Sequence, residues 1–282
     1  MLTITSSAAF AALVACASVA AGLIGALTGL GGGVILVPVL TLVFGVNLRY
    51  AVGASLISVI ATSSGAASSY VKDGYANMRI GILMEVATTL GAISGATLAS
   101  HLPTGTIATI FGIVLLYATV QSARPAAHLV ASPTPDKLAE RLRLSGVEPT
   151  PAGPVPYAAR HVPGGLSLMA VAGAVSGLLG IGSGALKVLA MDRIMRLPFK
   201  VSTTTSNFMI GVTAAASAGI YLRHGYVDPV LACPVMLGVL FGALVGARVL
   251  INARVNLLRI IFAIVLGLTA VEMIVQGVRG TL

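Results

Sequence analysis

Apolar residues run along this chain in long blocks and do not alternate with polar ones. Segments 7–28, 51–71, 80–100, 105–123, 229–251 and 257–278 each approach the about 20 residues that an α-helix needs to cross a hydrocarbon core roughly 30 Å thick. Shorter apolar runs at 34–46 and 185–191 are each entered through glycines. The first follows Gly29-Leu30-Gly31-Gly32-Gly33, and the second follows Gly180-Ile181-Gly182-Ser183-Gly184.

The two glycine clusters are 151 positions apart, and the surrounding sequence keeps that spacing. Residues 29–99 laid over 180–250 without a gap pair Gly29 with Gly180, Gly31 with Gly182, Gly33 with Gly184, Ser55 with Ser206 and Thr62 with Thr213. The same register pairs Tyr70-x-x-x-Gly74-Tyr75 with Tyr221-x-x-x-Gly225-Tyr226. Each half therefore reads as five apolar segments, 7–28, 34–46, 51–71, 80–100 and 105–123, then 165–181, 185–191, 201–222, 229–251 and 257–278. The second segment of each half is short for a full crossing and can be re-entrant. The expected fold is an all-α polytopic membrane protein of 8–10 segments, with a first transmembrane repeat at 1–123 and a second at 165–282. Residues 124–164, rich in proline and mixed charge, read as a solvated linker with one helical turn near 136–143.

Composition agrees: 57% of residues are hydrophobic and 9% charged, against roughly 25% charged in soluble domains. Met1-Leu2-Thr3-Ile4-Thr5 has no basic stretch, so the first segment is expected to remain as a helix and not to be removed as a signal peptide. Cys16 and Cys233 lie in apolar segments without a metal-ligand pattern, so they read as buried small apolar residues, and no metal or other cofactor is expected.

The net charge of +9 is better explained by cytoplasmic loops and an anionic cargo than by nucleic acid. With an odd number of crossings per half, Lys72, Arg79, Arg124, Lys137, Arg141, Arg143, Arg160, Arg193, Arg196, Lys200, Arg248, Arg254 and Arg259 fall on one side. Only Arg49, Arg223 and Arg279 fall on the other. Four crossings per half would split the same residues 9 against 7. Positive charge collects on the cytoplasmic side, which favours odd halves, inverted repeats, an outside N-terminus and a cytoplasmic 124–164 loop.

Glycine breaks inside a membrane free backbone N–H groups, and these are tolerated only against protein or a water-filled cavity. Paired breaks in inverted halves mark a midplane substrate site. Gly31, Gly32, Gly33, Gly182, Ser183 and Gly184 therefore become candidate anion ligands, although glycines also permit close helix packing, the reading that suits Gly91-x-x-x-Gly95 and Gly242-x-x-x-Gly246. Ser55 in the first half and Thr205, Ser206 and Asn207 in the second can face one cavity, or can cap the third and eighth segments. Charges within spans are expensive, so Lys187 reads as a cargo ligand or a snorkelling lysine, and Glu85 as a coupling site or the partner of a cation. An intramembrane serine protease is disfavoured: His101, His128, His161 and His224 all lie away from the middle of a span, and no enzyme is expected.

Gly31-Gly32-Gly33 with Pro38, Asn47-Leu48-Arg49-Tyr50-Ala51-Val52-Gly53-Ala54-Ser55-Leu56 and Leu197-Pro198-Phe199-Lys200-Val201-Ser202-Thr203-Thr204-Thr205-Ser206-Asn207 together resemble the TauE/SafE sulfite-exporter-like family. The resemblance covers roughly 18–100 and 168–275. It implies a bacterial inner-membrane permease for sulfite or organosulfonates, and carries over Gly31, Gly32, Gly33, Pro38, Gly182, Gly184, Lys200, Thr205 and Ser206. Ser183 and Leu189 depart from its usual glycine and proline. The expected partners are the lipid bilayer and a small anion, with a homodimer left open. A membrane scaffold and an anion channel remain as other readings.

Overall fold

The computed structural model describes residues 7–28, 32–72, 76–123, 136–150, 153–182, 184–250 and 255–280. The first half contains α1 (Ser7–Thr28), α2 (Gly33–Pro38), α3 (Leu48–Lys72), α4 (Met78–His101) and α5 (Thr104–Ala123). The second contains α7 (Val162–Leu179), α8 (Gly184–Leu189), α9 (Phe199–Arg223), α10 (Pro229–Leu250) and α11 (Val255–Arg279). Between them stand α6 (Lys137–Arg141) and a hairpin of β1 (Ser145–Thr150) and β2 (Gly153–Ala158). Two described helices, α4 and α7, are long and apolar enough to cross a membrane, and apolar helical stretches of 10–17 residues occur at Ala9–Gly25, Gly33–Val43, Thr104–Val120 and Pro229–Val245.

The offset of 151 read from the sequence holds in the elements. Adding it to α2 gives α8, and adding it to α3 gives α9, at both ends. Both α2 and α8 continue into π-helical turns, Val39–Val43 and Ala190–Ile194. With its turn, each short helix spans Gly33–Val43 or 184–194, about 16 Å at 1.5 Å per residue, half of a bilayer core.

Each short helix folds back along the helix before it. Phe44 meets Phe10 edge to face, with ring centroids 5.9 Å apart, which brings the end of the α2 segment beside the start of α1. The Arg160 N–H donates to the Met195 carbonyl at 3.0 Å, which does the same for α8 and α7.

Packing exchanges partners between halves. α1 packs on α10 and α7 on α4, while α3 packs on α9 and α5 on α11. Glycines set the closest of these contacts: a Cβ on Gly91 or Gly95 would overlap the carbonyl of Ala170 or Ala174, and one on Gly173 or Gly177 that of Thr88 or Ala92. Such approach of backbones is how helices associate where lipid removes the hydrophobic drive. Direction along these pairs is legible from the same contacts. In α4 and α7 the numbers rise together. In α3 and α9 they oppose: Gly53 lies against Tyr226, and Asn77, just beyond α3, donates its N–H to Thr205 Oγ1 at 3.0 Å. In α5 and α11, Gly105 faces Gly277 and Gly112 faces Ile274, so these also run antiparallel.

Residues 136–150 and 153–159 are more than a solvated link. Asp136 caps α6 by accepting from the Ala139 N–H at 2.8 Å, and Ala139, Leu144, Tyr157 and Ala159 join a core with Ile80, Met84, Met169, Met191 and Val201. The hairpin thus seals the end of the bundle that contains Asn77, whose side chain donates to Tyr157 Oη at 3.0 Å.

Cys16 and Cys233 correct an expectation, since both are exposed. They lie among outward apolar residues such as Leu13, Leu237 and Phe241. In a bundle surrounded by lipid, apolar character no longer implies an inward position.

Candidate functional site

α3 and α9 are each 25 residues long and carry the small hydroxyls of the chain into the middle of the bundle. Asn47 Oδ1 accepts from the Arg49 N–H at 3.0 Å and starts α3 near Leu48, so Ser55 lies two turns inside the helix. Capping by Ser55 and Ser206 is therefore overturned. Ser55 Oγ, fully buried, instead donates to the Gly180 carbonyl at 2.8 Å, across the two halves.

Gly180 caps α7 in the left-handed region at φ 68°, and Gly182 follows at φ 72°, values that a Cβ would strain. A Cβ on Gly33 would lie 2.6 Å from Ser55 Oγ and 3.1 Å from the Gly180 carbonyl oxygen. The glycine breaks of the two halves consequently meet, with Ser55 between them. On the other side, Gly184 lies against Ile210 and Ser206, whose Oγ approaches the Gly184 carbonyl at 3.4 Å, and Gly182 lies between Ile210 and Val59.

Not every sequence candidate joins this centre. Gly32 faces Val239 and Gly22, within the α1–α10 packing. Thr205 accepts from Asn77 at the hairpin end, and Asn207 is half-buried. Gly31 and Ser183 lie outside the described residues.

One turn beyond Gly184, Lys187 is fully buried. Its Nζ donates to Thr213 Oγ1 and stands 3.8 Å from Glu85 Oε2. Glu85 also accepts from Thr213 at 2.7 Å, Thr88 at 3.0 Å and Thr89 at 3.1 Å. Three hydroxyls and an ammonium thus replace water around this carboxylate, the condition for keeping a charge pair buried. Glu85 is thus the partner of a cation, one of its two readings, whereas Lys187, fully buried, does not snorkel, and its pairing was not among the readings of the sequence. Sequence spacing offered no signal for it, because α4 and α8 are joined only through tertiary packing.

A second polar cluster, absent from the sequence candidates, occupies the end of α3 opposite the hairpin. Arg49 donates to Tyr226 Oη at 2.8 Å and to the Leu102 carbonyl at 2.9 Å, with its guanidinium 5.2 Å from the Tyr226 ring centre. Tyr221 Oη donates to the Leu178 carbonyl at 3.0 Å, two residues before Gly180. The paired Tyr-x-x-x-Gly-Tyr blocks marked this place in the sequence, but only as evidence of repetition.

Comparison with known proteins agrees with the architecture. The family described as Sulfite exporter TauE/SafE matches residues 14–273. The probable membrane transporter protein YunE of Bacillus subtilis is 26% identical over 265 residues, covering 92% of this chain and 95% of its own. YdhB of the same organism, also named a probable membrane transporter protein, is 28% identical over 228 residues, covering 80% and 85%. The probable membrane transporter protein MJ0441 of Methanocaldococcus jannaschii is 25% identical over 267 residues, covering 90% and 91%. No solved structure matches the chain.

Proposed function

The chain belongs to the TauE/SafE sulfite exporter family of membrane transporters, and from that premise we propose that it exports small sulfur-containing anions, such as sulfite or organosulfonates, by alternating access. The observation that carries this reading is the meeting of the two glycine breaks at Gly33, Ser55 and Gly180, where three elements from both halves converge. An anion entering there takes the Ser55 hydroxyl from the Gly180 carbonyl, and finds glycine backbone that no side chain screens.

The halves are inverted with respect to each other in this proposal, with N-terminus outside and the 124–164 segment cytoplasmic in a bacterial inner membrane. Support comes from α3 and α9, which hold equivalent places in the two halves and run antiparallel, as do α5 and α11. Repeats so related exchange conformations when access alternates, with α3 and α9 sliding across the central contact.

Glu85 is the coupling residue in this scheme. While ionised it holds Lys187; once protonated it releases the ammonium, which is then free to balance an oxyanion one turn from Gly184. Proton and cargo thereby bind together: protonation of Glu85 frees the lysine that the oxyanion then takes.

Proteoliposomes of the purified protein test the function. Sulfite, sulfoacetate, sulfolactate and thiosulfate are offered in turn, and flux of at least one should saturate and respond to an imposed pH gradient. Flux at the level of empty vesicles for all four would refute the proposal.

A further inference from the structure

The Arg49 cluster lies outside the proposed central site and bears chemistry of its own. A narrow crevice at this end, too tight for a water molecule in this conformation, is lined by Arg49, Ser100, Tyr221, His224 and Tyr226, so residues of both halves form its walls and must part to admit a ligand. Both terminal nitrogens of the Arg49 guanidinium donate, to Tyr226 Oη and to the Leu102 carbonyl, but its buried Nε has no hydrogen-bond partner. Among the described residues no carboxylate pairs with this partly buried cation, whereas the fully buried Lys187 has Glu85. Tyr226 is in turn fixed by Tyr50 edge to face at 5.8 Å and by the parallel His224 ring at 6.1 Å. A cation held rigidly without a counter-charge, with one donor unmet, is a site waiting for an anion.

We propose that this cleft is a second oxyanion site, at the mouth of the transport path, in which Arg49 binds a sulfonate or sulfite before entry to the centre or after release from it. Its place along α3 supports the assignment. Ser55 is six residues further on, about 9 Å at 1.5 Å per residue. Between them stands Tyr221, whose hydroxyl is bound to the Leu178 carbonyl and whose ring closes the floor of the cleft. The second helical residue is cationic in both central helices, Arg49 in α3 and Lys200 in α9, so opposite ends of the antiparallel pair each carry a positive charge.

The inference rests on the anion-transport reading, and binding separates the two. The chain has 7 tyrosines and no tryptophan, so tyrosine emission is readable, and three of those tyrosines surround Arg49. The full-length protein in phosphatidylcholine nanodiscs is titrated with methanesulfonate or sulfate, at ionic strength fixed with chloride. We expect a saturable emission change. Arg49→Lys, which keeps the charge but loses the planar fork, should raise the half-saturating concentration about tenfold, and Arg49→Gln more, while Gly219→Ala leaves it within about twofold.

No saturable change in the wild-type protein overturns the proposal, whatever the variants do, and so does an unaltered half-saturation in Arg49→Lys. Phosphate of a lipid headgroup shares the chemistry. If nanodiscs with phosphatidylglycerol abolish the methanesulfonate response, the cleft is a lipid site and the proposal fails. Transport without this binding would refute the mouth site alone, and binding without transport would refute export alone.

Discussion

Removing Glu85 should destabilise the protein more than removing Glu85 and Lys187 together. The two charges are 3.8 Å apart, and Lys187 is fully buried while the Glu85 side chain is 11% exposed. At an effective dielectric of about 20, their attraction is about 4 kcal/mol before desolvation is subtracted. Glu85→Gln leaves an ammonium with one hydroxyl partner inside the bundle, and loss of one member of a buried pair costs about 3–5 kcal/mol. Lys187→Met leaves Glu85 with its three hydroxyl donors and partial exposure, for which about 2 kcal/mol is expected. The double variant replaces the pair by neutral side chains of similar size and should return to within about 2 kcal/mol of the wild type. Unfolding in mixed micelles with increasing SDS, followed by helical circular dichroism, measures all four proteins. Single losses that add to the double loss within about 0.5 kcal/mol would show that the two residues are independent, and the pairing argument would fall.

Gly95→Ala places a methyl group against the Ala174 carbonyl, with backbone on both sides and no side chain to yield, so the same assay should register a loss of at least about 2 kcal/mol. Gly219→Ala, with nothing within 4 Å, should gain about 0.5–1 kcal/mol from helix propensity. The Asp136 carboxyl is held below the usual carboxylate range, chiefly by the Ala139 N–H. A depressed value means that its contribution is present above the unfolded pKa and is lost as pH falls through the folded one. Hydrogen exchange of α6 amides should therefore separate Asp136→Ala from the wild type at neutral pH by about 1 kcal/mol, with the gap closing in acid.

Much of the architecture was readable because membrane helices satisfy their backbone internally and announce themselves as apolar blocks. The 151-residue register was legible too, since it depends on a few tyrosines and glycines that each half needs at one place. The hairpin was not. Pro149, Pro154 and Pro156 argue against a strand, yet in a ribbon of two strands each is an edge and tolerates a residue without a donor. Nor could the sequence place Ser55 and Ser206 within their helices: the apolar pattern begins at 51, whereas Asn47 starts the helix earlier.

The scaffold is repeated, but its chemistry is not. Positions equivalent to Lys187, Glu85 and Thr213 in the other half are Leu36, Met236 and Thr62. Leu36 is fully buried like Lys187, and Thr62 turns its hydroxyl to the Ser58 carbonyl at 3.0 Å, where Thr213 serves the charge pair. The proposed exchange of conformations between inverted halves would join states of equal energy if the halves were identical. In that scheme a charge pair in one half, with Leu36 and Met236 at the equivalent positions of the other, makes those states unequal. In the proposed scheme, where Glu85 couples proton to cargo, this asymmetry is the place for that coupling in a fold whose backbone is otherwise even-handed.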